Sequence, residues 1–168
     1  ARSDAKGELP EGPFQGVPFL IKDLGVQVAG MPRTSGSHFL KDEVHDEDSE
    51  LVKRYRAAGV VILGKTNTPE FGSGTATNNL VYGPTHNPFD LERTSGGSSG
   101  GSGAALATNM LPLCQGGDTG GSLRNPATWC GVVGFRSTPG LVPRENRTLN
   151  YTHFNVQGPM ARSVPDIA

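Results

Sequence analysis

Residues 94–127 read TSGGSSGGSGAALATNMLPLCQGGDTGGSLRNPA, and the rest of the chain is organised around them. Two glycine-rich clusters, residues 96–101 and 116–122, bracket a short Ala-rich segment and a short apolar run. Glycine loses more backbone entropy on folding than any other residue, so clusters of it around serines indicate unusual backbone angles and close backbone approach. A site built from main-chain N–H groups requires both features. We therefore expect the functional site in this stretch.

Helical and strand patterns alternate along the chain on both sides of the two clusters. Short apolar runs bounded by Gly or Pro predict buried strands, and an amphipathic stripe that ends at Gly59 predicts a helix. Such alternation is typical of an α/β fold. The predicted strands are residues 16–26, with Lys22 in the middle, and residues 60–65, 111–115 and 132–135, and the predicted helices are residues 48–58 and 99–109.

Irregular segments separate these elements. Residues 66–96 contain many turn signals and predict a long loop, which is usually functional inside a compact domain. We interpret residues 1–15 as a linker or the remnant of a helix, and residues 140–152 as a second polar loop. The chain begins at Ala1 without an initiator Met and ends where residues 166–168 resemble the start of a helix. Both ends are therefore expected to be cut from a longer chain.

Composition limits the classes of function. A chain of 168 residues with a net charge of −1 is long enough for one domain and gives no reason to expect a nucleic acid or an anionic membrane as partner. The sequence contains no apolar run of membrane-spanning length and no secretory signal, so a cytoplasmic protein is expected. Cys114 and Cys130 have no metal-ligand spacing, and we expect two buried reduced thiols and no metal site.

The chemistry of the two clusters differs. The first runs into a helix and could hold an anion, but no Gly-Lys-Ser/Thr follows it and it lacks a credible dinucleotide fingerprint. The second places consecutive N–H groups beside the hydroxyl of Ser122. A nucleophile next to donors for a developing oxyanion is what acyl transfer requires.

A base for Ser122 is not found among the histidines. All four (His38, His45, His86 and His153) lie in polar or loop segments without a carboxylate placed to orient them. Lys22 is the better candidate, because burial in an apolar strand would lower its pKa and let a neutral amine accept a proton. Asp23 follows it directly but should point to the opposite face of the strand, so we do not expect Asp23 to neutralise Lys22.

The ordered motifs of the chain resemble those of the amidase signature family, the Ser–Ser–Lys amide hydrolases. The resemblance extends from Gly16 to Ala168 and includes more ordered blocks than chance agreement explains. Its blocks are GVPFLIKD (16–23), GKTNTPEF (64–71), NP (87–88), SGGSSGG (95–101), GDTGGSLRNPA (117–127), GVVGF (131–135) and GPMAR (158–162).

The resemblance implies a mixed β-sheet flanked by helices, and it implies catalytic roles by motif position. Ser122 would be the nucleophile, Ser98 the relay serine on a cis peptide bond, and Lys22 the general base. The N–H groups of the residues just before Ser122, together with that of Ser122 itself, would form the oxyanion hole, and further residues would support the site. The oxyanion residues are Thr119, Gly120 and Gly121, and the supporting residues are Ser99, Asp118 and Arg124.

The function implied is hydrolysis of a small-molecule amide without metal or cofactor. Members of the family are several hundred residues long, so residues 1–168 would form one catalytic-core segment and the C-terminal part of the family domain would be absent. Two alternatives stay open: a catalytic core that is inactive in isolation, with exposed sheet edges that favour a homo-oligomer, or a non-catalytic anion-binding module. The opening GPFQGVPF (12–19) and residues 75–80 favour amidases of the nylon-oligomer or general amide type.

Overall fold

The computed structural model of the chain describes residue 7, residues 9–145 and residues 153–168. Its elements follow in chain order. The strands are β1 (Pro18–Lys22), β2 (Val61–Thr66), β3 (His86–Asn87), β4 (Asp90–Thr94), β5 (Leu113–Asp118), β6 (Val133–Gly134) and β7 (Val156–Ala161). The helices are α1 (Glu50–Ala57), α2 (Gly100–Ala107) and α3 (Arg124–Trp129).

Five strands form a mixed sheet in the order β2-β1-β5-β7-β6, and β3 and β4 form a separate hairpin. β1 is parallel to both β2 and β5, whereas β7 is antiparallel to β5 and β6. The parallel pairs are joined through helices, as a crossover connection requires. The α/β class and the mixed sheet with flanking helices are therefore confirmed.

Alternation along the strands places one apolar core on each face of the sheet. On β1, Phe19 and Ile21 pack with Leu51 and Val52 of α1 in the first core. Leu20 packs against the second core, which contains α2, α3 and Met160 of β7. Successive side chains of a strand point to opposite faces, so Lys22 shares the α2 side with Leu20.

Several predicted boundaries are wrong in an informative way. The strand predicted at 111–115 runs on as β5 through Gly116 and Gly117, although glycine disfavours strands. A Cβ at Gly116 would lie 2.7 Å from Leu123 Cδ2, so the packing of the next loop onto β5 requires glycine there. The strand predicted at 16–26 ends at Lys22, because residues 23–25 form a bend. The remaining predicted elements shift by one or two residues at their ends, which is within the ordinary fraying of element boundaries.

Other elements were absent from the sequence prediction. The loop predicted at 66–96 contains the β3–β4 hairpin and a 3-10 turn, Glu70–Gly72. Neither α3, which tolerates Pro126 in its first turn, nor β7, which contains Gly158 and Pro159, has the usual propensity signals. The helix start predicted at 166–168 is a turn.

The remaining segments are described in part. Of the predicted linker 1–15, residues 1–6 and 8 lie outside the described residues, and residues 9–15 form turns in which the Phe14 N–H donates to the Ala58 carbonyl at 3.0 Å. Residues 146–152 of the predicted polar loop 140–152 also lie outside. None of the described helices is long and apolar enough to cross a bilayer.

Candidate active site

Three strands bring polar groups to one edge of the sheet. β1 ends at Lys22 and β5 ends at Asp118, and both strands run in the same direction. β7 runs the opposite way, so its first residue, Val156, pairs with Asp118 at that edge. Ser98 lies just before α2 and Ser122 just before α3. The topology therefore collects residues that are far apart in the sequence.

Lys22 and Ser98 are in direct contact. The Nζ of Lys22 lies 2.6 Å from the Oγ of Ser98, and both side chains are almost completely buried, with exposures of 1% and 2%. Desolvation lowers the pKa of Lys22 from 10.5 to about 7, and the negative charge of Asp118 opposes part of that effect. A large fraction of Lys22 is therefore neutral near pH 7.

Asp23 faces away from Lys22, as the alternation of the strand predicted. Its carboxylate accepts the Thr34 hydroxyl and the Thr34 N–H and lies 3.8 Å from the Nζ of Lys65. Burial raises the pKa of Asp23, and the Thr34 hydrogen bonds and the charges of Lys65 and Arg33 act in the opposite direction. Asp23 thus has its own partners.

The backbone around Ser98 is closely packed. The peptide bond between Gly97 and Ser98 is cis, and Gly96 has a φ of +85°. A Cβ at Gly97 would lie 3.0 Å from the Gly74 carbonyl oxygen, and one at Gly72 would lie 3.4 Å from the Ser98 Oγ. Glycine at these positions allows the 70–76 segment to approach Ser98.

Ser122 lines the same cleft as Lys22 and Ser98, a space of about 200 Å³. It is half-buried, and its carbonyl accepts the Ser99 N–H at 3.2 Å. The Ser99 hydroxyl donates to the Gly117 carbonyl at 3.2 Å. Ser99 therefore joins the first glycine cluster to the second.

Asp118 is the most heavily bonded carboxylate of the site. Its carboxylate accepts the backbone N–H groups of Gly121 and Leu123. It also accepts the Nε and Nη2 groups of Arg124 and the Nη1 group of Arg136, and all five hydrogen bonds are 2.8 to 3.1 Å long. Burial alone would raise the pKa of Asp118, but these hydrogen bonds, that of Arg124 foremost, lower it to about 2. A permanently ionised Asp118 therefore holds the second cluster in shape.

The three residues expected to provide oxyanion donors are not equivalent. The Gly121 N–H donates to Asp118 Oδ1 at 2.8 Å. Thr119 and Gly120 are exposed, and within residues 9–145 and 153–168 their N–H groups have no acceptor. Thr119 also lines the cleft. The N–H groups of Thr119 and Gly120 are thus open to a ligand, whereas that of Gly121 is occupied.

Sequence reasoning missed three residues of this edge: Arg136, Gln115 and Gln157. Arg136 Nη1 donates to both the carbonyl and the carboxylate of Asp118, and its Nη2 donates to the Phe154 carbonyl at 3.0 Å. The two glutamines are buried in β5 and β7. Gln115 lies in the strand predicted at 111–115 and was a usable signal, because a buried amide needs partners. Gln157 gave no such signal, because β7 was not predicted as a strand.

The histidines and cysteines of the described residues do not line this cleft. His38, His86 and His153 are exposed, whereas the Nε2 of His45 lies 3.1 Å from the Glu43 carboxylate, so the expectation that no histidine has a carboxylate beside it was wrong for His45. Cys114 and Cys130 are free and buried, as predicted, and burial raises their pKa values to about 12 and about 11. The described part of the chain contains no group of three His, Cys, Asp or Glu side chains that could hold a metal ion.

Comparison with known proteins identifies the family. The amidase family profile matches residues 1–168, so the chain belongs to the amidase family, with the amidase signature motifs described above. Among curated relatives, the Glutamyl-tRNA(Gln) amidotransferase subunit of Methanosarcina barkeri (strain Fusaro / DSM 804) is 46% identical over 157 residues. That alignment covers 94% of this chain and 33% of the relative, so the chain spans about a third of the length of the curated relatives it matches.

Solved structures of other proteins also match the fold of this chain. A 6-aminohexanoate cyclic dimer hydrolase complexed with substrate superposes with a TM-score of 0.92 at 43% identity, covering 99% of this chain and 35% of that one. The peptide amidase PAM in complex with chymostatin gives a TM-score of 0.86 at 38% identity, with 99% and 34% covered. The arrangement of the described elements is therefore that of amidase signature enzymes.

Proposed function

We propose that the chain carries the catalytic core of an amide hydrolase that acts through a Ser122 acyl-enzyme. The observation that supports this most is the 2.6 Å contact between Lys22 Nζ and Ser98 Oγ, two side chains that are almost completely buried. A lysine with a pKa of about 7 is a competent general base at neutral pH, because enough of it is unprotonated and it is still basic. Family membership supports the same chemistry.

In the proposed reaction, neutral Lys22 accepts the Ser98 hydroxyl proton while Ser98 accepts that of Ser122. The Ser122 Oγ forms a bond to the amide carbon, and the resulting oxyanion accepts the N–H groups of Thr119 and Gly120. Collapse breaks the C–N bond, and the relay returns the proton to the leaving amine. Water then cleaves the acyl ester by the same route, which releases the acid and restores all three side chains.

Asp118 and its partners serve this reaction indirectly. Its carboxylate fixes Gly121 and Leu123 on both sides of the nucleophile, and the two arginines neutralise its charge. Ser99 ties the Ser122 carbonyl to the first cluster. The nucleophile is thus held between two anchored glycine loops.

The proposed substrate is a small carboxylic amide, for which a cleft of about 200 Å³ has room. The general amide and nylon-oligomer types favoured by the opening motif include the kind of substrate that the 6-aminohexanoate cyclic dimer hydrolase is named for. Assembly with other chains is part of the same proposal, since the amidotransferase relative is named as one subunit of an enzyme.

A fluorophosphonate probe tests this function directly. The probe should phosphonylate Ser122, seen by peptide mass spectrometry, and the adduct should be absent from Ser122→Ala. Lys22→Met and Ser98→Ala should each slow labelling by a factor of about 10³ or more, because members of a relay fail as a unit. The labelling rate should rise as the pH increases through about 7, where Lys22 loses its proton.

Two results would contradict the proposal. Folded protein that gives no Ser122 adduct at any pH is not a serine hydrolase on its own, which would favour a core that needs further chain. Anion binding that survives Ser122→Ala unchanged, together with an absence of adduct, would favour the non-catalytic module.

A further inference from the structure

Two buried glutamines lie beside Lys22 and take no part in the acyl transfer proposed above. Gln115 of β5 has no exposed surface, and Gln157 of β7 is 4% exposed. Burial of a primary amide costs free energy unless its N–H and C=O groups find partners. The partners of these two amides therefore define how each is oriented.

Backbone groups fix Gln115 in one orientation. Its Oε1 accepts the Lys22 N–H at 3.0 Å, and its Nε2 donates to the Gly116 carbonyl at 2.7 Å. A backbone N–H can only donate and a carbonyl can only accept, so exchange of the amide nitrogen and oxygen would break both bonds. The amide of Gln115 thus takes the place of a ladder hydrogen bond between β1 and β5.

Gln115 in turn orients Gln157. The Nε2 of Gln115 also donates to the Oε1 of Gln157, and only the oxygen of that second amide can accept. The absence of a side chain at Gly117 makes room for this contact, because a Cβ there would lie 3.0 Å from Gln157 Oε1. The NH₂ group of Gln157 is consequently turned away from Gln115.

That NH₂ group is left for a ligand. Within residues 9–145 and 153–168, the Nε2 of Gln157 has no acceptor. A Cβ built at Gly25 would lie 3.5 Å from this nitrogen. Gln157 lines the cleft that holds Lys22, Ser98 and Ser122. It also lines a second cleft of about 100 Å³, which shares Gly25 and Arg144 with the first.

We propose that Gln157 determines specificity: its Nε2 donates to a substrate oxygen other than the scissile carbonyl oxygen, so the site selects amides with a second oxygen acceptor. The choice of amides as ligands rests on the proposed function. A donor whose direction is fixed in advance binds an acceptor without an ordering cost. A substrate with a methyl-bearing carbon in that place leaves the donor unpaired and dehydrated.

Binding to a Ser122→Ala variant tests this independently of turnover. The probes are matched pairs in which a ketone replaces a CH–CH₃ group: 3-oxobutananilide with 3-methylbutananilide, 4-oxopentananilide with 4-methylpentananilide, and N-(2-oxopropyl)acetamide with N-(2-methylpropyl)acetamide. Calorimetric titration should give a Kd about tenfold lower or better for the ketone in at least one pair, as one hydrogen bond to a fixed donor provides.

Two further substitutions on the Ser122→Ala background assign that preference to Gln157. Gln157→Met, which keeps the length of the side chain, should bring the ratio of Kd values close to one. Gln157→Glu keeps an acceptor for Gln115 but replaces the donor by a carboxylate oxygen, so it should reverse the preference. Ratios within twofold in all three pairs overturn the inference even if neither substituted protein folds, and so does a preference that persists in Gln157→Met.

Turnover of the unsubstituted chain on the same amides separates this inference from the function on which it rests. Ketone-selective binding without hydrolysis would contradict amide hydrolysis and leave the role of Gln157 intact. Hydrolysis of both members of every pair at equal kcat/KM would confirm the function and overturn the role of Gln157.

Discussion

Substitution of Lys22 should change how the stability of this protein depends on pH. Burial lowers the pKa of Lys22 from 10.5 in the unfolded chain to about 7 in the folded protein. At 1.36 kcal/mol per pKa unit, a Lys22 that is charged in both the folded and the unfolded state lowers the free energy of unfolding by about 5 kcal/mol. Because the folded pKa is the lower one, the unfolded chain binds more protons between pH 7 and 10.5. The free energy of unfolding therefore rises with pH across this window.

Integration of the linkage relation between pH 7 and pH 9 gives about 2 kcal/mol for this single side chain. In Lys22→Met that contribution disappears, while the lost Ser98 contact adds only a pH-independent offset. The difference between the free energies of unfolding of the two proteins should therefore change by about 2 kcal/mol over the two pH units. Lys65, whose pKa burial lowers to about 8, is present in both proteins and cancels.

Urea unfolding at a series of pH values, followed by circular dichroism, measures this difference, provided that the transition is two-state. Lys53→Met, on the exposed side of α1, controls for the loss of one lysine. Curves for the unsubstituted chain and Lys22→Met that stay parallel within about 0.5 kcal/mol would show that Lys22 keeps its charge in the fold. The general base of the proposed relay would then be lost as well.

Two further predictions concern the second glycine cluster. Arg136→Met should lower the free energy of unfolding by about 1.5–3 kcal/mol, because Asp118 loses charge-assisted hydrogen bonds inside the protein. Thermal unfolding should show a larger loss than for Arg124→Met, because Arg124 is the more exposed of the two arginines; equal losses would contradict this dependence on burial. Gly116→Ala should lower the free energy of unfolding measured with urea by about 1–3 kcal/mol, because its Cβ would lie 2.7 Å from Leu123 Cδ2, whereas Gly120→Ala, with nothing within 4 Å, should leave stability nearly unchanged. Unchanged stability in Gly116→Ala would show that β5 can shift to make room for a Cβ.

Motif spacing was sufficient to identify the family, the class of fold and the residues proposed for catalysis. Lys22 could be singled out because a single lysine inside an apolar run is unusual whatever the fold. Asp23 could be excluded as its partner because adjacent strand residues face opposite sides. These inferences depend only on local periodicity and on the chemistry of single side chains.

Tertiary structure alone decided the partners at the edge of the sheet. The sequence separates Gln115 from Lys22 by 93 positions and Arg136 from Asp118 by 18, and no local pattern gives such pairings. Gln157 is oriented only through Gln115. It lies on β7, which could not be predicted because Gly158 and Pro159 are not typical of strands. The Gly121 N–H, expected for the oxyanion, is bound by Asp118 because the loop folds back on the end of β5.

The sequence by itself thus determined which side chains are proposed for the chemistry, because reactivity depends on residue type and on local burial pattern. The order of the strands determined which of them meet, because parallel β1 and β5 and antiparallel β7 bring distant residues to one edge. Burial at that edge, which depends on packing from both faces of the sheet, lowers the pKa of Lys22 to about 7 and fixes the direction of each buried amide.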